Sequence, residues 1–199
     1  PCDQRTHDLW EISLDGNGHA AYLLHIICQK QLPSTNAVQF YQQPFFYLLA
    51  GAVSKGVNVL LGSNDLYYFV DAAKIVPCIC SCYMLTLSQS ICNLCKVTGK
   101  GKIYAIAFIA FCPAFFLVGQ HVNCDALVAF LMALAFYYTL LWEQNPTWKN
   151  TISMAFVFGI GMMTKVSFLV VAVFTAFIML RKFIFFIKEK KTGVMIARF

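Results

Sequence analysis

Charge is scarce in this chain. Only 12% of its 199 residues are Asp, Glu, Lys or Arg, about half the fraction usual for a soluble domain. In their place, 59% of the residues are hydrophobic, and 19 are Phe. Mean hydropathy is +0.66. A water-soluble fold could not hide that much apolar surface, and the exposed remainder would aggregate. Lipid removes the difficulty, because the bilayer is itself an apolar solvent. Other absences narrow the class further. No low-complexity linker, sequence repeat or soluble domain stands out, and no signal peptide or Arg-rich transit segment opens the chain. The Cys92-Asn-Leu-Cys95 pair has no second pair to complete a zinc site and no thioredoxin-like context. Most of the nine cysteines fall inside apolar runs, where Cys behaves as a small hydrophobe.

The few charges are unevenly placed. Residues 1–36 hold Asp3, Asp8, Glu11 and Asp15 against Arg5 and Lys30, four acids to two bases. Lys96, Lys100 and Lys102 fill a short loop, and six bases follow from Arg181 onward against Glu189 alone. In a membrane chain such clusters mark the cytoplasmic side and do not call for a nucleic-acid partner.

Apolar runs cover residues 75–95, 103–118, 126–142, 151–164 and 166–180, with Pro113 as a kink in the second. The first is 21 residues without a formal charge, enough to span about 30 Å at about 1.5 Å per residue. If loop 96–102 and the basic tail are both cytoplasmic, an even number of crossings separates them. The last two runs must then form a hairpin turning at Lys165, since one long helix would bury that ammonium near mid-bilayer. The fold expected is all-α: a polytopic transmembrane bundle with about five spanning helices. An outer-face loop precedes it, together with an amphipathic helix over 44–61 lying along the surface. The division expected is 1–66 for the loop and surface helix, 67–187 for the bundle and 188–199 for a basic cytoplasmic tail.

Topology of this kind gathers three polar groups on the outer face: Asp15 with His19, the stretch His121-Val-Asn123-Cys-Asp125, and Lys165. Asp15 and His19 are four apart and share a face if helical. Asp15, His19 and Asp125 are candidate ligands for a divalent cation, and Asp15 is a candidate general base toward an acceptor hydroxyl or amine. Lys165 suits a phosphate as a point charge. Tyr41, Phe45, Phe46 and Tyr47 read as interfacial anchors.

The segment Asp15-Gly-Asn-Gly18-His19-Ala-Ala-Tyr22 resembles the first outer-loop motif of membrane glycosyltransferases with the C-type fold. Leu32-Pro33 and Gln39-Phe-Tyr41-Gln-Gln43-Pro44-Phe-Phe-Tyr47 resemble the same family's "LP … (H/Q)PPLYY" segment. Leu117-Val-Gly119-Gln-His-Val-Asn123-Cys-Asp125-Ala-Leu resembles its "SG-x-x-N-N-D-A-L" segment, and Gly161-Met-Met-Thr164-Lys165-Val-Ser167 its "G-x-x-x-T-K-x-S/G" segment. Order and spacing agree from about residue 8 to residue 180. The relatives are the dolichyl-phosphate-mannose–protein mannosyltransferases and the aminoarabinose–lipid A transferases.

The resemblance implies transfer of a sugar from a dolichyl or undecaprenyl phosphate to a protein or lipid acceptor. It implies the outer or luminal face of a bacterial inner or endoplasmic reticulum membrane, and no nucleotide cofactor. It makes Asp15 the catalytic or metal-associated carboxylate and Asp125 the second acid. It gives the carrier phosphate to Lys165 and Lys74, with Asn123, Tyr22 and Pro44 in support. Departures are visible. Gln43 replaces the first Pro of the "PP" pair, Cys124 the second Asn of "NND", and Lys74 an arginine. The family's first transmembrane helix and later helices are missing, so a segment of a longer enzyme is expected. The competing expectation is non-catalytic: a transporter fragment, a structural subunit or an inactive relative, with Asp71 and Lys74 as an intramembrane charge pair.

Overall fold

The computed structural model describes residues 18–33, 40–62 and 65–188, and among these it is all-helical, with no strand. Helix α1, His19–Leu24, continues as a π-turn over His25–Gln29. Helix α2, Phe45–Leu61, begins at Pro44, whose carbonyl accepts the Leu48 N–H at 3.0 Å. It ends where Gly62 takes a left-handed conformation, φ 63°, which glycine adopts without a Cβ penalty.

Helix α3, Leu66–Ala73, is capped by Asp65, whose carboxylate accepts the Tyr67 N–H at 2.9 Å. Helix α4, Ile75–Leu94, follows after a break at Lys74. Pro77 accounts for the break, because it has no N–H to return to the carbonyl of Ala73. Helices α5, Gly99–Ala110, and α6, Pro113–Gln120, meet at a 43° bend. Pro113, the expected kink, opens α6 at a position where its missing N–H costs nothing. Helix α7 is Asp125–Gln144 and α8 is Trp148–Thr164. Lys165 is extended, Val166–Phe168 form one 3₁₀ turn, and α9 runs Leu169–Lys188.

The bundle centres on α7, which packs against α4 on one side and α8 and α9 on the other. Buried polar groups bridge these helices. Thr139 and Thr175 share a hydrogen bond of 2.8 Å between α7 and α9. The Trp142 indole donates to Thr151 Oγ1 at 3.1 Å between α7 and α8.

Two ends can be distinguished. At one, the Gln144 side chain donates to the Leu94 carbonyl at 3.1 Å. There Arg181 pairs with Glu143, and Lys182 donates to the Glu143 carbonyl at 2.8 Å. Loop 96–102 and the basic segment from Arg181 therefore share this basic end. Asp125 and Lys165 meet at the opposite end. Helix α8 runs toward that end and α9 runs back, so the chain turns at Lys165 as the parity argument requires.

Three segments are long and apolar enough to cross a membrane: Leu66–Leu94, Asp125–Gln144 and Val166–Ile187. The bent pair α5 and α6 makes a fourth if it is one span. The expected count of about five is not reached by length and composition. The shortfall lies in α8, whose 17 residues cover about 26 Å, under the roughly 30 Å of a hydrocarbon core. Helix α2 is apolar but also only 17 residues long.

The interfacial role expected for the 41–47 aromatics is corrected for two of them. Phe46 and Tyr47 are both 0% exposed and belong to the core, whereas Tyr41 is 67% exposed. One face of α2 turns inward onto α1 and α3, and that face carries both residues.

Candidate active site

The site is built from the first turn of α7 outward. Asp125 is the first residue of α7, where the positive end of the helix dipole favours a carboxylate. Asn123 holds it from both directions. Its Oδ1 accepts the Asp125 N–H at 2.8 Å, and its Nδ2 donates to Asp125 Oδ2 at 3.1 Å. The other carboxylate oxygen, Oδ1, accepts a hydrogen bond from Lys165 Nζ and forms an ion pair with it. Both side chains keep part of their surface open, 29% for Lys165 and 41% for Asp125, so a ligand could reach the pair from the end of the bundle.

Lys165 reaches this position because α8 stops short. Its extended backbone ends the helix while its N–H still bonds the Gly161 carbonyl at 3.1 Å. The chain then folds Phe168 back onto Gly161. A Cβ at Gly161 would lie 2.3 Å from the Phe168 ring, and Phe168 is 0% exposed. Burial works against the Lys165 charge. The hydrogen bond to Asp125 and the neighbouring negative groups outweigh it, so its pKa stands above the ordinary value.

His19 approaches from the other side. Gly18, at φ 116°, makes the left-handed entry to α1. The imidazole Nδ1 is 2.6 Å from the Tyr47 hydroxyl. Burial lowers the His19 pKa to about 4; Asp125 opposes this and Lys165 adds to it. At neutral pH the ring is uncharged and lies within the field of the ion pair. Tyr22, one turn on, stacks on Tyr47 with centroids 3.8 Å apart and planes 7° apart. Its hydroxyl donates to the Gln42 carbonyl at 3.1 Å, beside Pro44. The Gln42 side chain in turn accepts from Cys124 Sγ at 2.6 Å. Burial raises the Cys124 pKa to about 11, which keeps it a thiol and a donor.

The four sequence segments singled out above are thus linked side chain to side chain. His19 and Tyr22 grip Tyr47 and the Gln42 backbone, Gln42 reaches Cys124, and Asp125 holds Lys165. Asp15 lies outside the described residues. Lys74 sits at the break between α3 and α4, and its described ion pair is with Asp71 at 3.0 Å. The residues that sequence reasoning missed are Tyr47, Gln42 and Phe168. Tyr47 and Gln42 stood inside a quoted segment, but the aromatics there were read as lipid-facing. Phe168 falls one residue beyond Ser167 and left no sequence signal.

Among the described residues, no three His, Cys, Asp or Glu groups come together as a metal site. Of the three candidate ligands, His19 and Asp125 are described, and both Asp125 oxygens are already engaged.

A family profile described as dolichyl-phosphate-mannose-protein mannosyltransferase matches residues 71–197, which include Lys74, Asn123, Asp125 and Lys165. Comparison with curated proteins gives no match, and comparison with solved structures gives none. The match spans well over half of the chain, and the chain belongs to the dolichyl-phosphate-mannose-protein mannosyltransferase family of membrane glycosyltransferases.

Proposed function

We propose that this chain carries part of the active site of an enzyme that moves a sugar from a polyprenyl phosphate to a protein or lipid acceptor. The carrier is dolichyl or undecaprenyl phosphate, and the reaction takes place at the outer or luminal face. The observation that carries this reading is the ion pair of Asp125 and Lys165 at the end of the bundle opposite the basic loops.

In this reaction the acceptor oxygen attacks the anomeric carbon and loses its proton. The bond from that carbon to the carrier oxygen breaks, and its electrons stay on the departing polyprenyl phosphate. Negative charge grows on the phosphate, and a fixed ammonium beside it lowers the barrier. Lys165 is such a group. Asp125 and Asn123 position it, and its partly open surface leaves room for a phosphate oxygen. Asp15, four residues before His19 in sequence, is assigned the acceptor's proton. His19, neutral and bonded to Tyr47, orients the first loop and carries no charge of its own. Lys74 is assigned to the carrier phosphate as a secondary contact.

A divalent cation remains a proposal that depends on Asp15 as a further ligand. The steps above run through side chains alone. Helix α2, apolar and too short to span, is proposed to lie along the membrane surface, and residues 188–199 to form a basic cytoplasmic tail.

The test is transfer of labelled sugar from dolichyl-phosphate mannose, or an undecaprenyl-phosphate sugar, in proteoliposomes holding the whole protein. Lys165→Gln is expected to lower the rate about a hundredfold to a thousandfold. Asp15→Asn is expected to abolish transfer while membrane insertion stays normal. Full activity in the Asp15→Asn protein would overturn the assignment, and activity that survives chelation would remove the cation.

A further inference from the structure

The basic end of the bundle carries a feature that sugar transfer does not use. Between α7 and α9 lies an open apolar cleft of about 450 Å³, floored by Trp142 and walled by Met179, Phe183 and Phe186. That is the volume range of small-molecule sites. Trp142 is only 4% exposed, and its indole N–H is already taken by Thr151, so the floor offers contact surface and no free donor. Helix α9 is little covered along its length: only 17% of its most apolar stretch is buried.

Lys182 stands at the mouth. Its Nζ donates to the Glu143 carbonyl at 2.8 Å and lies 5.6 Å from the Phe186 ring centroid. Neither the backbone carbonyl nor the ring carries a formal charge. The Glu143 carboxylate is paired with Arg181 instead. Among the described residues Lys182 has no ion pair of its own, and Arg181 and Lys182 together leave one positive charge in excess of Glu143. An apolar slot beneath this excess positive charge, at the basic end of a membrane bundle, matches a lipid tail joined to an acidic headgroup.

We infer that this cleft binds a phospholipid with an anionic headgroup. One acyl chain lies over Trp142 between Phe183 and Phe186, and a phosphate oxygen accepts from Lys182. The aromatic rings suit the boundary between hydrocarbon and headgroup.

Trp142 provides the readout. The whole protein, with Trp10, Trp148 and every tryptophan outside residues 1–199 replaced by Phe so that Trp142 alone emits, is placed in phosphatidylcholine vesicles. Brominated phosphatidylglycerol or, at the same mole fraction, brominated phosphatidylcholine is then added as quencher. The acidic lipid is expected to quench Trp142 with about fivefold higher apparent affinity, the effect of one cation near a charged headgroup. Lys182→Gln should erase that preference, Lys182→Arg should keep it, and Lys100→Gln should leave it unchanged. Equal quenching by the two lipids would overturn the inference, reducing the cleft to ordinary lipid contact. A preference that survives Lys182→Gln would also overturn it. So would the absence of quenching by either lipid, because a protein helix would then cover the cleft.

Discussion

At neutral pH the His19 imidazole is uncharged, although Asp125 and Lys165 both act on it. Burial decides the outcome, because an imidazolium would lose more hydration than the Asp125 carboxylate returns. The sign of the pH dependence follows. The folded-state pKa is about 4 against an ordinary 6.5, so the unfolded chain binds more protons between those values. The contribution of His19 is complete above pH 6.5 and declines as pH falls toward 4. Its size is bounded by about 3 kcal/mol and lies below that, since the ring is not fully enclosed. Melting temperatures in detergent across that window should fall with acid for the native protein and much less for His19→Gln. Parallel curves would show that His19 titrates as it does in water.

At the scale of elements, the placement of Lys165 depends on how α8 ends. The spacing of Gly161 and Lys165 was readable in the sequence as part of a recurring segment, and so was the turn at Lys165. What Gly161 does there was not readable, because nothing in a linear pattern says which ring will occupy the space its missing Cβ leaves. Phe168 supplies that ring, and Phe158 packs on it edge-to-face at 5.3 Å between centroids. Gly161→Ala forces a buried aromatic out of place, and overpacking of this kind costs about 1–3 kcal/mol. The variant should melt earlier in detergent and lose transfer as well, since Phe168 and Lys165 move together. An unchanged melting temperature would mean that the 3₁₀ turn yields easily. The inward face of α2 was hidden for a related reason. An aromatic-rich helix too short to span looks the same in sequence whether it lies in lipid or packs on α1. The burial of Phe46 and Tyr47 and the stack of Tyr22 on Tyr47 distinguish the two.

For the whole molecule, composition was enough to identify a helical membrane protein, and the basic clusters were enough to predict two opposed ends. The number of crossings was less legible. Runs such as 151–164 sit at the length where a span and a shorter packed helix share one hydropathy. The two-ended arrangement can be tested by accessibility labelling in a cysteine-free background with single cysteines at His121, Ser167, Lys100 and Thr147. Positions 121 and 167 should react from one side of the membrane and positions 100 and 147 from the other. Reaction of 121 and 100 from the same side would sink the arrangement.

The bond between Asp125 and Lys165 also bears on biogenesis. If α8 and α9 both cross, as the expected topology has it, their hairpin carries an ammonium at its tip across the hydrocarbon as the chain leaves the translocon. A lysine at the centre of a helix costs about 2.5–3.5 kcal/mol on insertion scales. The carboxylate that receives it belongs to α7, which is synthesised earlier and on that topology already presents Asp125 on the far side. Order of synthesis and charge pairing thus agree, and α7 acts as a docking post for the segment that follows it. With Asp125→Asn the post is removed, and a fraction of molecules should show position 167 stranded on the side of position 100.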